Sequence, residues 1–308
     1  MAITAAMVKE LREMTGAGMM DCKKALNATE GDMDKAVEFL REKGLAAMAK
    51  KANRVAAEGI VAAKVSEDGK TAAIVEVNSE TDFVAKNADF QAYVARVVEQ
   101  VLASNADSME SFMAEPWIDD ASVTVEQALS QKIAIIGEKL SIRRFEKVSA
   151  ADGVVASYIH GGGKIGVLTV LETSASGDAV SECGKDIAMQ VAALNPKYVT
   201  RDEVPADFVE HEKEILKTAA MNENPNKPEN IIDKMIIGRL NKELKEICLV
   251  DQAYVKDGDL SVKKYVDSVA KEVGAAITVK SFVRYQTGEG IEKREDDFAA
   301  EVAKQAGM

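Results

Sequence analysis

The sequence predicts an α+β protein with an all-helical front end. Three observations carry this: apolar spacing over residues 3–54 follows the helical period, the period switches to strand-like alternation near residue 59, and the strand pattern returns 94 residues later with matching glycines. Met7, Val8, Leu11 and Met14 form one apolar stripe behind Thr4, whose hydroxyl can accept from the free N–H groups of a first turn. Gly16 to Gly18 break that run. A second helix is expected from Met19 with Met20, Cys22, Ala25 and Leu26, ahead of Gly31. A third follows Asp32 with Met33, Ala36, Val37 and Leu40 and is expected to stop at Gly44. The Ala/Lys-rich segment Leu45 to Arg54 reads as a helical connector.

Gly59 to Val65 and Thr71 to Val77 flank Asp68-Gly69, the pattern of a β-hairpin. Phe90, Val94, Val97, Val98 and Val101 recur at helical spacing. Ala128, Ile133 and Ile136 mark another helix, and Leu140 to Val148 returns to alternation, whereas Ser104 to Ser122 is the least patterned stretch of this half. At the offset of 94, Ala57, Gly59, Val61, Ala62, Gly69 and Lys70 meet Ala151, Gly153, Val155, Ala156, Gly163 and Lys164. This predicts a second hairpin, Gly153 to Leu171, followed by a helix with Ile187, Val191 and Leu194. At an offset of 140, Ile142, Arg144 and Phe145 meet Phe282, Arg284 and Tyr285, so a third strand is expected in each half. Two related core subdomains result, each with a small antiparallel sheet facing a helix. A helical hairpin interrupts the second, with Phe208, Ile215, Leu216 and Ala219 on one arm and Ile232, Met235, Ile236, Leu240 and Leu244 on the other. A last helix is expected over Asp296 to Gln305. The expected division is 1–55 helical domain and connector, 56–148 first core subdomain, 149–202 with 247–288 second core subdomain, 203–246 inserted hairpin and 289–308 C-terminal module.

Composition bounds the function. No stretch of about 18 consecutive apolar residues exists, and the first residues lack the basic head and apolar run of a secretory signal, so a cytoplasmic protein with no membrane association is expected. Three cysteines, Cys22, Cys183 and Cys248, lie far apart with no C-x-x-C pair, arguing against a disulfide framework or a cysteine zinc site. A formal charge of −12 opposes general attraction to phosphate backbones, so no direct nucleic-acid binding is expected. The charge is uneven: residues 1–55 hold ten Lys/Arg and eight Asp/Glu, a balance of +2, which leaves −14 on the rest.

Catalytic patterns are missing from the sequence. It has two histidines, His160 and His211, and no H-E-x-x-H, G-x-S-x-G or short-spaced metal ligands. Gly161-Gly162-Gly163-Lys164 superficially suggests phosphate binding, but Ile165 follows the lysine and the glycines join two predicted strands, so they read as a hairpin tip. The residues that stand out are apolar side chains at element ends. Met19 and Met20 sit where a helix begins after a glycine turn, as core filler or as an adaptable binding surface. Thr81 or Asp82 can cap a helix start, leaving Phe83 either packed or displayed. On the residues alone, packing is the stronger reading for both. His160, beside three glycines with no second ligand in view, reads as solvated.

Met14-Thr15-Gly16-Ala17-Gly18-Met19-Met20-Asp21-Cys22-Lys23-Lys24-Ala25-Leu26, then Thr81-Asp82-Phe83-Val84-Ala85-Lys86, then His160-Gly161-Gly162-Gly163-Lys164-Ile165-Gly166-Val167-Leu168, and finally Gly288-Glu289-Gly290-Ile291-Glu292-Lys293 with Asp297-Phe298-Ala299-Ala300-Glu301-Val302, occur in this order along the chain. Together they closely resemble the bacterial elongation factor Ts family, although Met14 stands where that family more often has arginine. The resemblance implies a ubiquitin-associated-like three-helix N-terminal domain, a two-part core, an inserted antiparallel coiled coil and a C-terminal helix. It also implies a guanine nucleotide exchange factor for elongation factor Tu, binding its GDP-bound and nucleotide-free forms, with no covalent chemistry, no cofactor and no resident metal. By the same resemblance, Thr81, Asp82, Phe83 and Val84 would dislocate the partner's magnesium ion, and Arg12, Met19, Met20, Ile136, His160 and Phe298 would bind the partner. Two rival readings are an adaptor using the N-terminal bundle and an enzyme whose carboxylates converge only in the fold.

Overall fold

Thr4 accepts a hydrogen bond from the Met7 N–H (3.3 Å) and starts α1 (Ala5–Thr15), which ends where Gly16 takes a φ of 65° and donates to the Arg12 carbonyl. In the computed structural model, which describes residues 3–224 and 227–292, α2 (Met19–Ala28) follows directly. Asp32 accepts from the Lys35 N–H (3.0 Å) and caps α3 (Met33–Lys51). Val8, Leu11, Cys22, Ala25, Leu26 and Ala36 form the buried core of these three helices. Two expectations fail here. Met14 and Met20 are exposed rather than part of the core stripes. Nor does α3 stop at Gly44: that residue is buried within the helix, and a Cβ there would come within 3.2 Å of the Ser130 carbonyl oxygen, so the glycine serves close approach of another helix rather than termination.

The chain then forms β1 (Glu58–Val65), β2 (Thr71–Ser79), the single-turn α4 (Asp82–Ala85), α5 (Ala88–Ala103) and α6 (Met109–Ala114). Next come β3 (Pro116–Trp117), β4 (Asp120–Thr124), α7 (Val125–Ile136) and β5 (Ser141–Ser149). After these follow β6 (Gly153–His160), β7 (Ile165–Glu172), α8 (Asp178–Leu194), α9 (Ala206–Glu223), α10 (Glu229–Ile247), β8 (Ala253–Tyr254), β9 (Asp257–Ser261), α11 (Val262–Val273) and β10 (Thr278–Gln286). The architecture is α+β with small antiparallel sheets. One three-stranded sheet has the order β1-β2-β5 and another β10-β7-β6, so each hairpin has a third strand beside its second member.

The repeated glycines of the two hairpins have a physical cause. Gly59 adopts a φ of 127° and a Cβ there would lie 2.2 Å from the Val77 carbonyl oxygen; at Gly153, with a φ of 148°, it would lie 1.8 Å from that of Leu171. No other residue fits either position. Gly161, Gly162 and Gly163 all have positive φ and join β6 to β7, in register from Gly153↔Glu172 to His160↔Ile165, so they shape a hairpin tip.

The contacts divide the described chain into two units, residues 3–62, 75–145 and 286–292 forming one and residues 63–74 and 146–285 the other. In the first, α5 turns Phe90, Val94, Val97, Val98 and Val101 inward. In the second, Ile187 and Val191 of α8 pack with Val167 and Leu171 of β7 and with Val262, Val266 and Val269 of α11. Within the same unit α9 and α10 pack through Ala220, Ile232 and Ile236, supported by Leu216 and Met235, while Ile215 is exposed, contrary to the expected stripe.

Two small hairpins were not foreseen. β3 pairs with β4 through Pro116↔Thr124 and Trp117↔Asp120, and β8 pairs with β9 through Ala253↔Ser261 and Tyr254↔Asp257, the same register at an offset of 137. Each is followed at once by a twelve-residue helix, α7 or α11, closed by a left-handed glycine, Gly137 or Gly274. The expected last helix, Asp296 to Gln305, lies outside the described residues.

Candidate functional site

Strand β2 is buried along almost its whole length and delivers the chain to a corner at Glu80-Thr81. Thr81 is the cap of α4, its hydroxyl accepting from the Val84 N–H (3.4 Å), and Asp82 is the first helical residue, its carboxylate accepting from the Lys86 ammonium (2.6 Å). Phe83 is 81% exposed, so the ring is displayed, and the expectation of packing is corrected. Val84 is half-buried and Ala85 buried, which seats the turn while the ring points away from the core. Phe90, the third residue of α5, is by contrast fully buried.

The corner is clamped from the segment that follows α7. Glu138 accepts from the Glu80 N–H (3.1 Å) and the Thr81 N–H (3.0 Å) through Oε2 and from the Thr81 hydroxyl (2.7 Å) through Oε1. Glu80 accepts from the Lys139 N–H and from Arg54 (3.2 Å), and the Lys139 ammonium donates to the carbonyls of Ala52 (2.6 Å) and Arg54 (2.8 Å). Ile136 lies two residues before Glu138, half-buried in the last turn of α7. Thr81, Asp82, Phe83, Val84 and Ile136 are therefore brought together by one clamp, whose acidic member the sequence did not single out. Its one sequence signal is weak: a carboxylate directly after the helix-ending Gly137.

Met19 and Met20 are 60% and 63% exposed in the first turn of α2, and Arg12 is exposed near the end of α1. The core-filler reading of the methionines is thus corrected as well. Cys22, Ala25 and Leu26 fill the core instead, leaving the methionines unburied. In the other unit His160 is exposed at the end of β6, its Nδ1 3.0 Å from the Tyr158 hydroxyl. Phe298 lies outside the described residues.

A second buried ionic cluster was missed by sequence reasoning. Glu76, fully buried in β2, accepts from Arg143 (3.1 and 3.2 Å), Arg144 (2.6 Å), Asn78 (3.0 Å) and the Gly288 N–H (2.8 Å). Burial pushes its carboxyl pKa up, but the hydrogen bonds from Gly288, Asn78 and Arg144 outweigh that and hold it below the ordinary value. Arg143 and Arg144 reach on to Glu289 and Gln286. In the second unit the Asp186 carboxylate accepts from the hydroxyls of Tyr254 (2.6 Å) and Tyr265 (2.8 Å) and from Lys256 (2.5 Å). This cluster joins α8 to β8 and α11 and is fully satisfied, which suits a structural role.

Cys22, Cys183 and Cys248 are free and buried, and burial pushes the Cys183 thiol up to about 11. Among the described residues no group of three or more His, Cys, Asp or Glu side chains could hold a metal ion, and no helix is long and apolar enough to cross a membrane.

The chain is similar to known proteins over most of its length. The Elongation factor TS family profile matches residues 80–289, a span that begins at the clamped corner and ends at the Gly288-Glu289 segment held by Glu76. Over 303 residues the chain is 57% identical to "Elongation factor Ts" of Clostridioides difficile (strain 630), covering 98% of both chains. It is 56% identical over 305 residues to that of Clostridium perfringens (strain SM101 / Type A), covering 99% of both, and 54% identical over 303 residues to that of Clostridium kluyveri, covering 98% of both. With a match across most of the chain and relatives of more than half identity end to end, the chain belongs to the elongation factor Ts family.

Proposed function

We propose that this chain is a guanine nucleotide exchange factor for elongation factor Tu, acting in translation elongation by lowering the affinity of that GTPase for GDP. The observation that carries the proposal is a phenylalanine ring standing 81% exposed on a turn clamped by a carboxylate, in a chain of this family. A GTPase of this kind holds GDP through backbone N–H groups around the phosphates, helped by Mg²⁺. Releasing GDP needs no bond to be made or broken, only displacement of those groups. Burying the Phe83 ring between two elements of the partner would favour the displaced state by roughly 1.5 to 3 kcal/mol, and Asp82 would add a charge beside the ion-holding groups.

In this reading Thr81 and Val84 seat the turn while Asp82 and Phe83 act on the magnesium site. Arg12, Met19 and Met20 grip the partner from the N-terminal helices, and Ile136, His160 and Phe298 add contacts. The N-terminal helices, residues 1–55, serve as a docking domain and α9-α10 as an inserted coiled coil, with core subdomains at 56–148 and at 149–202 with 247–288, and a C-terminal module at 289–308. Linkage constrains the mechanism: the factor by which this protein weakens GDP binding is the factor by which GDP weakens binding of this protein. It therefore binds the nucleotide-free GTPase more tightly than the GDP form. Release of a fluorescent GDP analogue from elongation factor Tu, followed with and without this protein, tests the proposal; a release rate unchanged by saturating protein overturns it.

A further inference from the structure

We propose that Glu138 is the positioning residue of the displacing turn: its carboxylate fixes the Glu80-Thr81 corner so that Phe83 is presented at one angle. This inference rests on the reading of Phe83 as the displacing group. A four-residue helix such as α4 has too few internal hydrogen bonds to hold its own orientation. The exposed ring contributes little packing of its own. Val84 and Ala85 seat the end of the turn, so the direction in which it starts is set by what holds its first backbone groups.

The corner's N–H groups and the Thr81 hydroxyl are held by one side chain, while the Thr81 carbonyl accepts from the Ser79 hydroxyl (3.0 Å). The N–H groups of Glu80 and Thr81 converge on Oε2 of Glu138, and the Thr81 hydroxyl, which also caps α4, donates to Oε1. Both carboxylate oxygens are thus committed to the corner, in charge-assisted bonds stronger than neutral ones. Glu138 is itself held rigidly. It follows Gly137, whose φ of 86° ends α7, and α7 is fixed at its start by the reciprocal Thr124–Gln127 capping box and along its length by buried Leu129 and Ile133. Glu80 plays the lesser part, since it ties the neighbouring Lys139 and Arg54 rather than the turn.

The test compares Glu138→Ala, Glu138→Gln, Phe83→Ala and the double variant Phe83→Ala/Glu138→Ala in the full chain, measuring the saturating rate of stimulated GDP release from elongation factor Tu. Amide exchange at Glu80 and Thr81 is followed in parallel. Glutamine keeps an acceptor for the two N–H groups and a donor for the Thr81 oxygen, so Glu138→Gln should stay within about threefold of wild type. Glu138→Ala should lower the saturating rate about tenfold, inside the roughly hundredfold that a 1 Å misplacement can cost, and should speed exchange of the two amides. The double variant should be no slower than Phe83→Ala alone, because a corner without its ring has nothing to position. A wild-type rate in Glu138→Ala, or losses that multiply in the double variant, overturns the inference while leaving Phe83 its role. A wild-type rate in Phe83→Ala overturns the displacing-group reading itself, whatever Glu138 does.

Discussion

Replacing Glu76 should cost more stability than replacing almost any other carboxylate in the chain. It is fully buried, and its two oxygens receive Arg143, Arg144, Asn78 and the Gly288 N–H. Removing one partner of a buried ion pair costs roughly 3–5 kcal/mol, because the other charge is left desolvated. Here the two guanidiniums keep 28% and 30% of their side-chain surface in water, so Glu76→Ala is expected to cost about 2–4 kcal/mol and Glu76→Gln, which keeps acceptors for Asn78 and Gly288, about 1–2 kcal/mol. The pH dependence follows from the lowered carboxyl pKa. The unfolded chain binds the proton first as pH falls, so the stabilisation is complete above the ordinary carboxylate value of about 4.5 and is lost as pH falls through the lower folded value. Urea unfolding can be followed through Trp117, the single tryptophan, which lies in the same unit. The difference between wild type and Glu76→Gln should be constant near neutrality and shrink below pH 4. A difference under about 0.5 kcal/mol at pH 7, or one that grows on acidification, would refute this account of the cluster.

Met19→Ala with Met20→Ala should leave the unfolding midpoint within about 0.5 kcal/mol of wild type, since both side chains are mostly solvated, yet weaken binding to nucleotide-free elongation factor Tu about tenfold by titration calorimetry. Unchanged affinity would remove the methionines from the interface. Gly59→Ala and Gly153→Ala should each destabilise by more than about 2 kcal/mol, because the new Cβ meets a strand carbonyl oxygen at 2.2 or 1.8 Å; urea midpoints near wild type would show that the strands can separate there without loss.

The elements readable from the sequence are those with long, regular periods. The first helices, both long hairpins, α5, α7 and α8 announce themselves through spacing, and the repeated glycines mark backbone approaches that admit no side chain. The short hairpins escaped because arms of two residues, Pro116–Trp117 and Ala253–Tyr254, cannot display alternation, and their offset of 137 differs from the 140 shared by the third strands. Gly44 misled because a glycine inside a helix and one after its end look alike in sequence; only Ser130 across the contact distinguishes them. The displayed ring and methionines could not be read from periodicity either, since exposure depends on which neighbours fill the core first. Glu76 and Glu138 were lost among many carboxylates, their partners lying 67 and 57 residues away in the chain. Here the family resemblance, not spacing, pointed to Phe83.

The central claim is that one solvent-facing ring displaces the groups holding GDP. The most direct measurement is the saturating rate at which this protein, as wild type and as Phe83→Ala, stimulates release of a fluorescent GDP analogue from elongation factor Tu. Removing an exposed ring should leave the fold within about 0.5 kcal/mol of wild type. The stimulated rate should nonetheless fall at least tenfold, as about 1.4 kcal/mol of lost burial implies. A variant that folds normally and stimulates release at the wild-type rate would contradict the claim.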